Sequence, residues 1–138
     1  MNDDIGYMIK QLDTRLHARA DANLKECGLT FSQVRVLEVL RKNGGEASQK
    51  MIEETLGVAH PTVVGIVSRL EKNGFVSCYM DPADRRSKIV CETEKALENH
   101  RRHSKRMRET EACLVAGLSE EEIRELKRLL RYIYQNME

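Results

Sequence analysis

The sequence predicts a mainly α-helical chain interrupted by one small β-hairpin. Three observations carry that expectation. Apolar residues recur at three- and four-residue spacing through much of the chain, the pattern of helices that bury one stripe. Two runs rich in Val, Ile, Phe and Tyr, Phe75–Met80 and Ser87–Cys91, flank the turn residues Asp81-Pro82-Ala83-Asp84. Just upstream, a short helix and a longer one are joined by Gly57-Val58-Ala59, the dimensions of a helix-turn-helix. Helix-turn-helix plus hairpin is a winged helix, here flanked by helices on both sides.

The composition bounds what such a chain does. Its 138 residues fit one domain, or one domain with helical extensions. A hydrophobic share of 41% suffices for a core, and 4% aromatics with no Trp make that core aliphatic. Net charge is +1, so any affinity for nucleic acid must come from a local patch. Cys27, Cys78, Cys91 and Cys113 form no CxxC pair and no zinc-finger spacing, which reads as reduced thiols. With no signal peptide and no apolar run of spanning length, the expectation is a cytoplasmic protein with no membrane partner.

The first helix is expected over residues 3–27, with Ile5, Ile9, Leu12, Leu16 and Leu24 near helical spacing and Gly28 as its stop. At 1.5 Å per residue it is about 37 Å long, too long for this domain to cover. Part of its apolar face is therefore expected against another subunit. The second helix opens with a capping box, Thr30 and Gln33, and a staple, Leu29 and Val34. Val34, Leu37, Val39 and Leu40 are its expected buried face, and Gly44 its end. Glu46 and Ala47 are placed to pair with the hairpin as a minimal strand.

The third helix spans Ser48–Leu56, with Met51, Ile52 and Leu56 as its apolar face. The fourth runs from about His60 to Asn73 and buries Val63, Ile66, Val67 and Leu70. Pro61 sits near its first position, where a missing N–H costs nothing, and Gly74 follows its last turn as a left-handed cap. The fifth helix, from near Thr93 to about Ala116, is heavily charged, with Leu97, Met107, Leu114 and Val115 as its clearest apolar positions. Ser119 with Glu122 and Leu118 with Ile123 repeat the box and staple at the start of the sixth helix. Ile123, Leu126, Leu129, Leu130, Ile133 and Met137 then fall on one face that needs a partner.

The residues that could carry function lie on the exposed side of these elements. The fourth helix presents His60, Pro61, Thr62, Val64, Gly65, Ser68 and Arg69 off its apolar stripe. In a helix-turn-helix such residues reach base edges in the major groove. Gly65 and Val64 suggest close backbone approach or few base contacts. Arg85 and Arg86 sit at the wing turn, where a guanidinium suits a narrow A·T-rich minor groove, and Lys88 is placed to reach phosphate. Thr30, Ser32, Gln33, Ser48 and Gln49 lie at helix N-termini, which offer N–H groups to phosphates. His100 and His103 are one turn apart but lack a third ligand at metal-site spacing, and Cys27 lies at a helix C-terminus, whose dipole disfavours a thiolate. No nucleophile or phosphate-loop context appears, so an enzyme is not expected.

The run PTVVGIVSRLEKNGFV, the wing DPADRRSK followed by TEKA, and the order of the elements resemble the MarR family of bacterial transcriptional regulators over essentially the whole chain. The resemblance implies a dimeric repressor of an inverted-repeat operator in double-stranded DNA. It implies one domain over 1–138, with 29–92 as the DNA-binding region and 1–28, 117–138 and most of 93–116 as dimerisation helices. It places Arg86 at the family's minor-groove position and Asp84 as the wing-stabilising acid, paired with a basic neighbour such as Arg69. It further implies a small organic effector, of unknown binding residues, between the winged helix and the dimer layer, and no cofactor. Thiol-sensing relatives carry their cysteine well inside the first helix, where this chain has none. Three positions depart from the family pattern: Ala59 where a capping Ser is common, Glu92 where Leu is common, and Ala96 for a usual Gly. Two alternatives stay open, a winged helix used for protein–protein contact and a metal- or thiol-responsive trigger on the same fold.

Overall fold

The computed structural model describes residues 3–138. Residues 1–2, included in the expected domain and first dimerisation segment, lie outside the described residues. The elements are α1 (Ile5–Cys27), α2 (Phe31–Lys42), β1 (Glu46–Ser48), α3 (Gln49–Leu56), α4 (His60–Lys72), β2 (Val76–Met80), β3 (Lys88–Glu92), α5 (Glu94–Leu114) and α6 (Glu120–Asn136). This is the expected mainly α architecture with a winged helix inside it. The chain divides between Arg101 and Arg102 into two compact units.

The minimal strand at Glu46 forms. It pairs antiparallel with β3, Ala47 opposite Val90, and β3 pairs antiparallel with β2, Cys78 opposite Val90, giving the order β1-β3-β2. Both expected capping boxes are present. At α2 the Gln33 N–H donates to Thr30 Oγ1 (3.2 Å) and the Thr30 N–H to Gln33 Oε1 (3.0 Å); at α6 Ser119 and Glu122 do the same.

The core lies wholly in the first unit. Val36, Leu40, Ile52, Val63, Val67, Leu70 and Val90 are its largest fully buried side chains, and Phe75 is its one aromatic among the described residues. Two expectations need correction. Val36, outside the expected face of α2, is fully buried, while Val34 is only half-buried. The reason is that α2 is central: it packs against α3, α4, β1 and β3, so more than one of its faces is covered. Met51, expected in the core, is 42% exposed, because the inward face of α3 is Gln49, Ile52 and Leu56.

Glu92 resolves its own departure from the family pattern. Its Oε2 accepts from Arg41 Nη2 on α2 at 3.0 Å, and its N–H donates to Gly45 O at 2.9 Å. The side chains of Arg41 and Glu92 are only 27% and 9% exposed, so this pair links α2 to the end of β3 largely out of water. Removing one partner strands the other charge, whereas replacing both with apolar groups removes the desolvation cost as well. Glu92→Ala is therefore expected to cost about 1–3 kcal/mol in urea unfolding. Arg41→Leu combined with Glu92→Leu is expected to recover most of that loss; a double variant as unstable as the sum of its single changes contradicts this account.

Candidate nucleic-acid interface

The face that α4 turns outward follows from the face it buries. Val63, Val67 and Leu70 are fully buried and Ile66 packs against the same core. That leaves His60, Pro61, Thr62, Val64, Gly65, Ser68 and Arg69 exposed on the other side. Ala59 supplies no side-chain cap; its carbonyl accepts from the N–H groups of Thr62 and Val63, both at 3.1 Å. Pro61 has no N–H to cap and the Thr62 N–H is already held by the Ala59 carbonyl, so the start of α4 loses little by lacking a capping Ser. A Cβ built on Gly65 meets nothing within 4 Å, so no packing inside the chain requires glycine there.

The position of α4 depends on the turn before it. Gly57 has φ 64°, a left-handed conformation that side chains strain to adopt, and its N–H caps α3 on the carbonyl of Glu53. Val58 N–H donates to the same carbonyl at 3.2 Å. The chain then enters α4 at His60.

The wing turn is built by its two acids. Asp81 Oδ1 accepts from Ala83 N–H (2.9 Å) and Asp84 Oδ1 from Arg86 N–H (3.0 Å), each an Asx turn. Ser87 N–H donates to Asp84 O at 2.9 Å, closing the loop. Asp84 therefore contacts the backbone of the wing, not Arg69: the expected pairing with that guanidinium does not form. Arg85 and Arg86 are exposed at the tip and Lys88 is half-buried at the start of β3.

A cleft of about 240 Å³ joins the two elements. It is lined by Gln49, Lys50 and Glu53 of α3, His60 of α4, and Asp84, Arg86, Ser87 and Lys88 of the wing. Sequence reasoning singled out five of these residues and missed Lys50, Glu53 and Ser87. The available signal for Lys50 and Glu53 was helical spacing: both lie on the flank of α3 that Gln49 begins. Lys50, Arg86 and Lys88 bring three cations to the cleft against the carboxylates of Glu53 and Asp84, a locally basic surface on a chain of net charge +1. The remaining expected contacts divide. Thr30 and Ser48 cap α2 and α3, Ser32 is exposed, and Gln49 faces the cleft. Gln33 drops out, because it is buried and its amide oxygen is engaged by Thr30. His100 and His103 are half-buried on α5, and no group of three His, Cys, Asp or Glu placed to hold a metal occurs among the described residues. No helix among them is long and apolar enough to cross a membrane.

Known proteins share this arrangement. The family model described as MarR family matches residues 28–87. The HTH-type transcriptional repressor IacR of Pseudomonas putida is 32% identical over 90% of this chain and 76% of its own length. The uncharacterized HTH-type transcriptional regulator YwoH of Bacillus subtilis (strain 168) is 31% identical over 98% of this chain and 97% of its own. The crystal structure of the S. aureus MepR–DNA complex superposes with a TM-score of 0.86 at 25% identity, covering 96% of this chain and 99% of that one.

The hairpin carries two thiols, Cys78 on β2 and Cys91 on β3, both half-buried. Burial, then a hydrogen bond to Glu71, pushes the Cys78 thiol up to about 11. Burial and the Glu46 carboxylate, which accepts from Cys91 Sγ at 3.2 Å, push Cys91 up to about 11. The thiolate is the reactive form, so both should be slow nucleophiles at neutral pH. Cys113 is exposed. Alkylation with iodoacetamide at pH 7.5, followed by peptide mass spectrometry, is expected to label Cys113 on the order of tenfold or more faster than Cys78 and Cys91. Equal rates would mean that the hairpin thiols are not held neutral.

Proposed function

This chain belongs to the MarR family and is a transcriptional regulator, not an enzyme, and we propose that it is a homodimeric repressor that reads an inverted-repeat operator in double-stranded DNA. The observation that carries the reading is the cleft, where the start of α4 and the wing arginine Arg86 border one basic surface. His60, Pro61, Thr62, Val64, Gly65, Ser68 and Arg69 face the major groove, with Thr62 and His60 at base edges. The open space around Gly65 suits close approach of the helix backbone to DNA. Arg86 and Arg85 enter the minor groove, Asp84 shapes the turn that carries them, and Lys88 with the N-termini at Thr30, Ser32, Ser48 and Gln49 meets phosphates. The repressor role is supported by the relative IacR, a transcriptional repressor, and DNA as partner by the MepR–DNA complex. A double-stranded DNA partner supports a cytoplasmic location.

Two-fold symmetry comes from the helices flanking the 29–92 DNA-binding region. On α1, Ile5, Met8, Ile9 and Leu12 are exposed; on α6, Leu126, Leu129 and Leu130 are exposed, as is Met137 just after it. Apolar stripes of this length mark an interaction surface. Segments 1–28, 117–138 and most of 93–116 form the dimerisation layer. A small organic effector shifts the spacing of the two reading heads and releases DNA. A ligand does this only through different affinity for the two spacings.

Two experiments test these assignments. Leu130→Asp with Ile133→Asp is expected to give a monomer in sedimentation and to weaken binding to an inverted repeat by about 100-fold or more, since the second head no longer binds intramolecularly. A monomer with full affinity rules the dimer out. Thr62→Ala is expected to cost on the order of 1–3 kcal/mol per half-site and relax preference at one base position, with half-sites about 10 base pairs apart. Arg86→Ala is expected to weaken binding to all operators, reduce the salt slope by about 1 per site, and blunt only the preference for A·T-rich flanks. Wild-type binding by Arg86→Ala would show that the wing does not touch DNA.

A further inference from the structure

Glu53 is an anomaly on the proposed reading surface. It is a carboxylate beside a cleft that would face a polyanion, and its side chain is only 19% exposed. By charge alone it opposes binding. Its contacts give it a different use. Glu53 Oε1 contacts Nδ1 of His60, the first residue of α4, whose side chain is 67% exposed. The backbone carbonyl of Glu53 meanwhile accepts from Gly57 and Val58, the turn that leads into α4. One residue therefore holds the helix-turn-helix angle through its backbone and the first side chain of α4 through its carboxylate.

A carboxylate accepts hydrogen bonds and donates none, so its contact requires the proton on Nδ1 of His60. The Gln49 amide lies 3.5 Å from the same nitrogen, but a protonated Nδ1 has no lone pair for that donor, and the nearer carboxylate decides the tautomer. The other ring nitrogen, Nε2, is then left for a partner outside the chain. The charged groups bordering the cleft with this pair are Lys50 on α3 and Asp84, Arg86 and Lys88 on the wing.

We propose that Glu53 is a positioning residue for DNA recognition: it orients the His60 ring through Nδ1 and presents Nε2 to the operator. The inference rests on the DNA-reading function proposed above and assigns a role to a residue outside the contacting set. It also predicts the sign of an effect. Removing a carboxylate from a DNA-facing surface strengthens binding if charge is all that matters. Removing a positioning residue weakens it.

The test is operator binding by the full-length chain, measured by fluorescence anisotropy across single-base operator variants, with thermal melting of each variant. Glu53→Ala is expected to weaken binding about tenfold and to lose preference at the same base position as His60→Ala. The combination of Glu53→Ala with His60→Ala is expected to bind within about twofold of His60→Ala alone, because both remove one contact. Glu53→Gln keeps an amide oxygen that accepts from Nδ1 and is expected to restore most of the affinity. The inference is overturned if Glu53→Ala binds as well as wild type or better. It is also overturned if Glu53→Ala weakens the His60→Ala background by the same factor as wild type, or if it lowers affinity with an unchanged base preference. Thr62→Ala and Arg86→Ala are measured alongside. If they also bind like wild type, the DNA-reading function fails and takes this inference with it; if they weaken binding and Glu53→Ala does not, only this inference fails.

Discussion

Burial of the aliphatic stripe Val63, Val67 and Leu70 sets the rest of the winged helix. All three side chains are fully removed from solvent. Burying a Val or Leu side chain stabilises by roughly 1.5–3 kcal/mol. The stripe therefore holds the rotation of α4 about its own axis, with α2, α3 and β2 packed against that helix. A helix has no independent choice for its second face. Once those three point inward, Thr62, Gly65 and Arg69 point outward, and the surface presented to a partner is a consequence of core packing.

The wing shows how acidic residues are accommodated beside such a surface. Asp81 and Asp84 satisfy backbone N–H groups of the turn, and Glu53 faces the ring of His60. Each carboxylate is engaged by a local donor, which leaves Arg86, Lys88 and Lys50 to set the character of the cleft. This is how a chain of net charge +1 forms a locally basic patch. Within the patch its acids hold geometry and do not face outward as free charges.

The Arg41–Glu92 pair illustrates a departure from the family pattern that the fold absorbs. A Leu at the end of β3 would add to the core. The Glu instead extends to α2, where Arg41 is within 3.0 Å. The two positions are 51 residues apart, so neither reveals the other in a linear reading. Such an exchange of an apolar contact for an ion pair preserves the link between elements and makes it sensitive to substitution of either partner.

Local chemistry was legible in the sequence. The capping boxes at Thr30 and Ser119, the left-handed stops at Gly28, Gly57 and Gly74, the stripe of α4 and the DPAD turn each depend on residues within one or two helical turns, and all form as read. Even the three-residue strand at Glu46 was visible. What the linear pattern missed depends on which elements meet. The burial of Val36 follows from α2 being enclosed on several sides, and the exposure of Met51 from α3 turning Gln49, Ile52 and Leu56 inward instead. The backbone partner of Asp84 was available within two residues, yet a distant guanidinium was expected instead, because spacing does not rank a local N–H against a remote charge. The cleft, and the contact of Glu53 with His60 inside it, required the turn at Gly57 to bring two helices and a wing together. Periodicity determines which residues share a face; only the packed chain decides which faces meet, because that choice belongs to the whole core.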